Sequence, residues 1–342
     1  MVELNGKKIL VTFLMHLGDL TLTTPFIHAL RKAAPDAHIT MLVDEKLKDV
    51  VLFNPYLDEV VTIDKKGRDN SILSLWACSR HLSKLDFDVL INLHPNERCS
   101  FIDAMTSVKL RTGTTHKIFK WFWDVFTPLD RSMHAADMYL DVLQQLGVQD
   151  LSNNGLEFFP GEEHFLEAEL FWQEQNITDQ DKLIGFNIGS AVPTKRWPPE
   201  RFAEVADIFA AKGYKTVFFG GPMDEEMVAE ATGYMQTRPI IATGHFAIGG
   251  LAAAMRRCCL IITNDSGPMH VAISQKVPIV AMYGPSNPKL YGPYTKDAVI
   301  VTAQPPCQGC ADGMKHSCDD LQCMSRMTVE QVVAAADTML DK

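Results

Sequence analysis

The chain has 342 residues and a formal net charge of −10 at pH 7, so its length predicts two domains, each large enough for its own core. The acidic balance argues against a general nucleic-acid binder, for which a basic patch would be the footprint. No apolar run reaches the ~18 residues of a membrane-spanning helix and the N-terminus lacks signal-peptide features, so we expect an intracellular, cytoplasmic protein.

The first half of the chain alternates short apolar runs with longer amphipathic segments. The runs predict strands at 9–14, 39–43, 59–63 and 89–93, and the amphipathic segments predict helices at 22–32, 71–85 and 135–146. Repeated β-α units of this kind predict a parallel sheet covered on both faces. A polar stretch at 147–155 ends this half, and a linking helix is expected at 167–175.

The second half restarts the same alternation. Strands are predicted at 183–188, 216–219, 260–263, 277–283 and 298–301, with helices at 199–212, 225–235, 248–256 and 269–274. We therefore predict an α/β fold with two doubly wound, Rossmann-like domains facing across a cleft. The expected bounds are 1–165 and 166–326, and the last segment, 327–342, is expected to return to the first domain as a helix.

The most informative motif follows the strand at 260–263. Its residues 264–268 are Asn, Asp, Ser, Gly and Pro, which is turn chemistry, and Pro268 suits the first turn of the next helix. A glycine that admits a ligand, a hydroxyl and the N–H groups of a helix start make an anion-binding corner. The alternative is that Asp265 and Ser266 merely cap the helix.

A second corner follows the first strand, at 16–19. It contains His16, Gly18 and Asp19, and no G-x-G-x-x-G dinucleotide fingerprint is present there. Asp19 could be an ordinary helix N-cap. Two such corners, more than two hundred residues apart in the chain, instead suggest two half-sites.

A basic segment with aromatics lies between 105 and 123. It contains Lys109, Arg111, Lys117 and Lys120 and no acidic residue, and it ends in residues 121–123, which are Trp, Phe and Trp. Such a segment could approach an anionic membrane surface. The alternative is a solvated face with its aromatics packed inward.

The eight cysteines form two groups. Cys78, Cys99, Cys258 and Cys259 lie among apolar residues and are interpreted as small buried hydrophobes. The other four have the ligand count of a structural zinc site, but their intervals differ from common zinc pairs and His316 adds ambiguity, so free thiols or a labile disulfide are favoured over zinc; the four are Cys307, Cys310, Cys318 and Cys323. We predict no metal in the active site and no cofactor.

Five motifs in the right order make the chain resemble glycosyltransferase family 9, the bacterial ADP-heptose:lipopolysaccharide heptosyltransferases. They are Gly18-Asp19, Thr23-Thr24-Pro25, Lys195-Arg196-Trp197-Pro198, Phe219-Gly220-Gly221-Pro222 and Asn264-Asp265-Ser266-Gly267-Pro268-Met269-His270. The likeness extends to a strand and following polar loop at 89–100, a strand edge at 111–113 and a closing segment at 323–332. It covers nearly the whole chain and implies the GT-B architecture.

The resemblance implies an inverting, metal-independent transfer of heptose from ADP-heptose to a lipopolysaccharide core acceptor. Asp19 matches the general base, and His16 is a competing base, because a free imidazole takes up a proton nearer neutral pH than a free carboxylate does. Lys195 matches the family's lysine and would meet the departing diphosphate. The remaining donor residues are expected to be Gly18, Ser190, Arg196, Asp224, Glu225, Asp265, Ser266, Gly267 and His270, with His270 orienting its loop and one acid of 224–226 accepting from the ribose hydroxyls.

The acceptor is expected to be a lipid-linked saccharide, approached from the first domain. Because such an acceptor carries anionic groups, we expect cations on the first domain to attract it. The candidates are Arg98, Lys109, Arg111, Lys117 and Lys120. No nucleic-acid partner is expected, and a peripheral contact with the cytoplasmic face of the inner membrane is one interpretation of the basic segment.

The residues leave alternatives to this assignment. The donor could be another nucleotide sugar used for cell-surface polysaccharide, because residue chemistry does not distinguish heptose from other sugars. A non-catalytic nucleotide-sugar-binding protein would keep the second-domain corners, but it would not need Asp19. A nicotinamide-dependent oxidoreductase is disfavoured by the missing glycine fingerprint.

Overall fold

The structure is a computed structural model that describes residues 2–303, 318 and 320–342. The chain divides into two compact units, Met1–Phe159 and Pro160–Lys342. The break falls six residues before the expected domain boundary, ahead of the linking helix.

The first unit is built on a six-stranded sheet in the order β3-β2-β1-β4-β5-β6, and each neighbouring pair is parallel. The strands are β1 (Lys8–Thr12), β2 (His38–Asp44), β3 (Glu59–Ile63), β4 (Phe87–Asn92), β5 (Val108–Gly113) and β6 (Val125–Phe126). The helices are α1 (Leu17–Thr21), α2 (Thr24–Ala33), α3 (Asp49–Leu52), α4 (Ile72–Ser83), α5 (Glu97–Met105) and α6 (Ala135–Gln145), with short 3-10 helices at Glu45–Leu47 and Lys117–Phe122.

The second unit repeats this topology with a sheet in the order β12-β11-β10-β7-β8-β9, again parallel throughout. Its strands are β7 (Leu183–Asn187), β8 (Lys215–Phe219), β9 (Ile240–Ile241), β10 (Leu260–Asn264), β11 (Ile279–Met282) and β12 (Ala298–Val301). Its helices are α7 (Glu162–Glu174), α8 (Pro199–Ala211), α9 (Glu225–Tyr234), α10 (Ile248–Met255), α11 (Gly267–Ser274), α12 (Pro288–Tyr291), α13 (Gln322–Ser325) and α14 (Val329–Leu340), with 3-10 helices at Pro193–Lys195 and Pro222–Asp224.

The strand order determines where each unit can bind a ligand. In each sheet the first strand is central: the chain builds two strands on one side of it and then crosses to the other side. The loops after β1 and β4 therefore diverge, as do the loops after β7 and β10. In open α/β sheets ligands bind at such a switch point, outside the carboxyl ends of the strands.

The last helix does not behave as predicted. We expected it to return to the first domain, but α14 packs on β10, β11, β12 and α8 of the second unit. The side chains of Val332 and Ala336 are fully buried in that unit's core. The apolar stripe that predicted the helix is therefore used to complete the second core.

Two short helices occupy segments that were predicted to be loops. The polar stretch after β4 enters α5 at Glu97, because the Asn96 side chain accepts a hydrogen bond from the Cys99 backbone N–H at 2.7 Å and caps the helix. The turn expected at 16–19 enters α1 at Leu17. Across residues 2–303, 318 and 320–342, none of the helices combines the length and apolarity that crossing a membrane requires.

Candidate functional site

A buried ion pair lies at the switch point of the second unit. Lys195 Nζ is 2.7 Å from Asp265 Oδ2, and the two side chains are only 13% and 6% exposed. Lys195 ends the 3-10 helix that follows β7, whereas Asp265 follows β10 directly. Ser286, after β11, donates its hydroxyl to the same Asp265 oxygen. Three loops at the carboxyl edge thus converge on one carboxylate.

The hydroxyl of Ser266 is held from a neighbouring strand. Asn187, the last residue of β7, donates from Nδ2 to Ser266 Oγ at 2.9 Å and to Thr263 Oγ1 at 3.1 Å. Ser266 is the N-cap residue of α11 by position, but its side chain makes no capping hydrogen bond. The alternative in which Asp265 and Ser266 merely cap the helix is therefore wrong, since Asp265 binds side chains from two other loops and Ser266 binds the side chain of Asn187 in β7.

The loops around this corner are held by further hydrogen bonds. Asn264 accepts from the Trp197 backbone N–H at 3.1 Å and donates to the Ile188 carbonyl at 2.7 Å. The indole of Trp197 is fully buried and donates to the Met327 carbonyl at 3.1 Å. The backbone on either side of Lys195 is therefore fixed to β10 and to the segment before α14.

Arg196 and Ser190 belong to the same loop. Arg196 Nε donates to the Ser190 carbonyl at 2.9 Å, and the buried Ser190 hydroxyl accepts from the Val192 N–H at 3.3 Å. The Arg196 side chain is half-buried rather than solvent-facing. Arg196 instead sets the shape of the 188–196 loop.

Among the acidic residues after β8, Asp224 turns back toward the loop after β7. Its Oδ2 accepts from the Gly221 N–H at 2.9 Å. A Cβ at Gly189 would lie 2.2 Å from an Asp224 carboxylate oxygen, so the close approach requires a glycine at 189. Glu225 begins α9 and is exposed.

Gly267 and His270 lie in α11, where Pro268 occupies the first turn as predicted. The His270 side chain is buried. Two groups near this helix were missed by the sequence reasoning, Ser286 and Tyr283. Burial, together with the nearby Asp265 carboxylate, raises the pKa of Tyr283 well above its usual value, and its hydroxyl donates to the Tyr291 carbonyl at 2.8 Å. The signal was present, since 284–287 is Gly-Pro-Ser-Asn after a strand.

In the first unit, Asp19 lies just after the carboxyl end of β1. Gly18 and Asp19 are the second and third residues of α1, and both are half-buried. His16, at the N-cap position, is exposed. The interpretation of Asp19 as the N-cap is therefore wrong, because the helix begins two residues before it.

Beneath this corner lies a buried polar cluster that the sequence did not predict. Asp103 of α5 accepts from the Thr12 hydroxyl at 2.9 Å, and burial raises the pKa of Asp103 to about 8. Burial lowers the pKa of His94 to about 4, with Lys65 and His16 adding to the effect. At neutral pH both groups are therefore uncharged.

The five cations predicted for the acceptor do not form one group. Lys109 lies near the amino end of β5, at the opposite edge of the sheet from Asp19, and binds Asp88 at 2.6 Å. Arg111 donates to the carbonyls of Asp103 and Thr106, at the end of α5. Acceptor contact by Lys109 and Arg111 stays a prediction, although both side chains have partners within the first unit.

Arg98 also has structural partners, since it donates to Asn70 Oδ1 at 2.6 Å and to the Lys65 carbonyl. Lys117 and Lys120 are exposed on the 3-10 helix after β5. Inward packing of the adjacent aromatics holds for Trp123, which is buried, but not for Trp121, which is 95% exposed.

The cysteine predictions are only partly covered by the described residues. Cys99 and Cys258 are buried, Cys78 and Cys259 are half-buried, and burial raises the pKa of Cys78 to about 12. Cys323 is buried in the second core. Cys307, Cys310 and His316 lie outside the described residues, so the zinc alternative stays a prediction. Within the part of the chain that is described, His, Cys, Asp and Glu form no cluster of three suited to a metal ion.

Two doubly wound α/β units in one chain define a protein of the GT-B architecture. A sequence model of glycosyltransferase family 9 (heptosyltransferase) matches residues 75–318. The chain therefore belongs to glycosyltransferase family 9 and is a glycosyltransferase.

Two solved structures and one sequence relative illustrate the likeness. The crystal structure of the glycosyl transferase family 9 from Veillonella parvula DSM 2008 is 53% identical, covers 99% of this chain and 98% of that chain, and has a TM-score of 0.95. The E. coli ADP-heptose lps heptosyltransferase II is 21% identical, covers 97% of this chain and 98% of that chain, and shares the fold with a TM-score of 0.78. Lipopolysaccharide heptosyltransferase 3 of Escherichia coli (strain K12) is 24% identical over 341 residues, or 94% of this chain and 95% of the relative.

Proposed function

We propose that the protein transfers a heptose from ADP-heptose to a lipopolysaccharide core acceptor, with inversion at the anomeric carbon. The observation that carries the proposal is the buried Lys195–Asp265 pair at the switch point of the second unit. The family membership and the E. coli relative, a lipopolysaccharide heptosyltransferase, support the choice of sugar and acceptor.

The second unit would bind the donor. Lys195, with Ser190, meets the diphosphate, while Asp265, Ser266 and Gly267 hold phosphate and sugar. Positioned cations and N–H groups stabilise the charge that develops on a leaving diphosphate. Because Lys195 is anchored by Asp265 and the loop by Asn264, these groups need little reorganisation when the charge develops.

Other donor contacts come from the neighbouring loops. Asp224 is favoured over Glu225 for the ribose hydroxyls, because its carboxylate lies against Gly189 in the loop after β7. Arg196 shapes the loop that carries Ser190, and His270 orients the start of α11. Gly18 has no side chain, so the backbone next to Asp19 could lie close to the donor.

Asp19 would act as the general base. The acceptor hydroxyl oxygen forms a bond to the anomeric carbon while the bond from that carbon to the diphosphate oxygen breaks. The hydroxyl proton passes to Asp19, and the electron pair of the broken bond leaves with ADP. His16 is a competing base, because it lies three residues before Asp19 in the chain and its imidazole is exposed.

Replacing the base tests this assignment. Asp19→Asn keeps the size of the side chain but removes its basicity, so turnover should fall by about 10²-fold or more, while donor affinity measured by calorimetry stays nearly unchanged. His16→Asn is the matched control and should retain most of its activity. Full activity of Asp19→Asn, or a larger loss in His16→Asn, contradicts the assignment.

The donor is tested with a panel of nucleotide sugars. Purified protein should release ADP from ADP-heptose in the presence of a heptose-free core acceptor, and mass spectrometry should show one added heptose. Preferential transfer from another nucleotide sugar would favour a cell-surface polysaccharide pathway, and donor binding without transfer to any acceptor would favour a binding protein.

The acceptor is lipid-linked in this proposal, so the enzyme works at the cytoplasmic face of the inner membrane. Lys117 and Lys120 are the exposed cations suited to attract its anionic groups. Exposed charges act over about 8 Å at physiological salt, so they would steer the acceptor and leave the chemical step unchanged.

A further inference from the structure

Two groups of exposed apolar side chains lie at the carboxyl edge of the first unit's sheet. One occupies the start of α4, which follows β3, and the other occupies the 3-10 helix Lys117–Phe122, which follows β5. Isolated exposed hydrophobics are ordinary, whereas grouped ones mark interaction surfaces. The six side chains, which we call the edge surface, are Ile72, Leu73, Trp76, Ile118, Trp121 and Phe122.

The helix α5 holds both groups in place. Arg98, in its first turn, donates to Asn70 Oδ1 at 2.6 Å in the loop before α4. Ser100 accepts from the His116 N–H at 2.8 Å, just before the Lys117–Phe122 helix, and the Phe101 and Phe119 rings pack edge to face with centroids 6.2 Å apart. The edge surface is therefore carried by one connected framework.

The exposed side chains at α4 are presented by a defined helix start. Ser71 and Ser74 form a capping box, which fixes the first turn. Ile72 and Trp76 are four residues apart and share one face of the helix, and Leu73 beside them is 78% exposed. Trp76 also lies 6.0 Å from the Arg80 guanidinium carbon.

Exposed lysines accompany both groups of the edge surface. The acids beside them include Asp69, which pairs with Arg68 at 3.3 Å, and Asp124, which accepts from the Arg111 N–H at 2.7 Å. Lys117 and Lys120 are exposed within the second group, and Lys66 is exposed in the loop before α4. Residues 104–123 contain no Asp or Glu, in a chain whose net charge is −10. Glu97 is a nearby acid, and its carboxylate is 3.9 Å from His116 Nε2.

We propose that the edge surface docks on an anionic phospholipid bilayer, with Trp76 and Trp121 at the depth of the head groups. Interleaved tryptophan and lysine suit a membrane interface, where the ring is half in hydrocarbon and the ammonium binds lipid phosphates. The inference deepens the proposed function, because a lipid-linked acceptor must be reached at such a surface.

Vesicle binding without acceptor or donor tests the apolar part. The wild-type protein should bind vesicles of phosphatidylethanolamine with phosphatidylglycerol and bind phosphatidylcholine vesicles weakly. The double variant Trp76→Ser, Trp121→Ser should bind the anionic vesicles at least about tenfold more weakly. Leu166→Ser, Leu170→Ser is the matched control, because both leucines are exposed on α7 of the second unit; its binding should be unchanged.

Charge reversal tests the electrostatic part. Lys117→Glu, Lys120→Glu should weaken binding to the anionic vesicles by about a hundredfold or more at low salt, and the difference should shrink as salt is added. Lys182→Glu, Lys215→Glu changes the net charge equally at exposed positions of the second unit and should have a much smaller effect.

The outcomes separate this inference from the proposed function. Equal vesicle binding by the tryptophan variant and its control overturns membrane docking, as does wild-type protein that ignores anionic vesicles. Concentration-dependent dimerisation lost in the tryptophan variant would assign the edge surface to a second copy of the chain and also overturn it. Transfer to a water-soluble, delipidated acceptor reports on the proposed function alone, and the tryptophan variant should retain it; thermal unfolding checks that each variant is folded.

Discussion

The carboxyl edges of the two sheets share one strand order but differ in the buried groups at their switch points. In the second unit Lys195 and Asp265 are kept as an ion pair, with Ser286 on the same carboxylate. In the first unit Asp103 has no cation in direct contact with its carboxylate among the described residues, and burial keeps it protonated at neutral pH. The switch point thus carries an ion pair in the second unit and a neutral buried cluster in the first, whose own buried ion pair, Lys65 with Asp44 at 3.0 Å, lies at the carboxyl ends of β2 and β3.

The difference indicates which of the two switch-point corners is suited to bind an anionic ligand. A buried ion pair is costly to desolvate, so it is weak evidence for stability, but it presents a positioned cation at the point where ligands bind. A neutral carboxyl cluster needs no counter-ion and can support the corner after β1, which carries Asp19, the proposed base. Perturbing each cluster should therefore affect different properties.

The largest effect is expected at Lys195. Lys195→Met removes the cation and should lower turnover by about 10²- to 10³-fold and weaken ADP binding in calorimetry. It should also destabilise the protein by about 3–5 kcal/mol, because Asp265 is left buried without its partner.

The double variant Lys195→Met, Asp265→Asn separates these effects. Removing both charges should restore most of the stability in denaturant unfolding but not the ADP affinity. If ADP affinity returned together with stability, the role of Lys195 at the diphosphate would be disproved.

The next effect concerns Asp103 and pH. The folded protein holds the Asp103 proton up to about pH 8, whereas the unfolded chain loses it near its ordinary pKa of 3.8. The folded state therefore binds more protons across this interval, and stability from this group falls as pH rises. Asp103→Asn should remove about 2–5 kcal/mol of that dependence, measured by urea unfolding between these pH values.

His94 provides the opposing slope. Its folded pKa of about 4 lies below the ordinary 6.5, so the unfolded chain binds a proton first and stability falls as pH drops through this interval. The contribution of Asp103 should consequently be clearest above the ordinary histidine pKa. An unchanged pH profile in Asp103→Asn would mean that this carboxyl is ionised in the fold.

A smaller effect is expected from Gly189→Ala. The added methyl group would lie 2.2 Å from an Asp224 oxygen, so Asp224 must move, and the donor's Michaelis constant should rise by about tenfold, as a displaced hydrogen bond of about 1 kcal/mol or more implies. Gly233→Ala is the control, since its Cβ would meet nothing within 4 Å. Equal Michaelis constants in the two variants would remove Asp224 from the donor site.

The smallest effect is expected from chelation. If Lys195 and the α11 N–H groups supply the positive field, EDTA should leave the rate of transfer unchanged. Loss of activity that magnesium or manganese restores would show that the second unit's corner needs a metal ion to hold the diphosphate.

The regular elements were largely predictable because their periodicity is local. The predicted strands at 59–63 and 298–301 coincide with β3 and β12, and the helix predicted within 327–342 is α14. The helices α1 and α5 were missed because Gly18 and the polar run before Glu97 are typical of turns, whereas capping and burial decide the structure there.

The site was predictable where polar residues follow a strand directly, as at Asp265 and Ser266. Asp103 was not, because it lies inside a helix and acquires its raised pKa only from the neighbours that bury it. The partners of Lys109 and Arg111 were equally invisible, since Asp88 and the end of α5 are brought to them by the pairing of β4 with β5. Sequence patterns identify the chemistry of a residue, but tertiary contacts decide whether it is available.

The hydrogen bond from Trp197 to the Met327 carbonyl bears on how donor preference could be exchanged between relatives. The loop that carries Lys195 is fastened to the segment that leads into α14, and α14 completes the core beneath it. A chimera that transplants only residues 166–326 would separate the loop that carries Lys195 from Met327, whose carbonyl accepts the Trp197 hydrogen bond. The segment to exchange is therefore the whole of Pro160–Lys342. Recombination within it would remove a contact that holds the Lys195 loop in place.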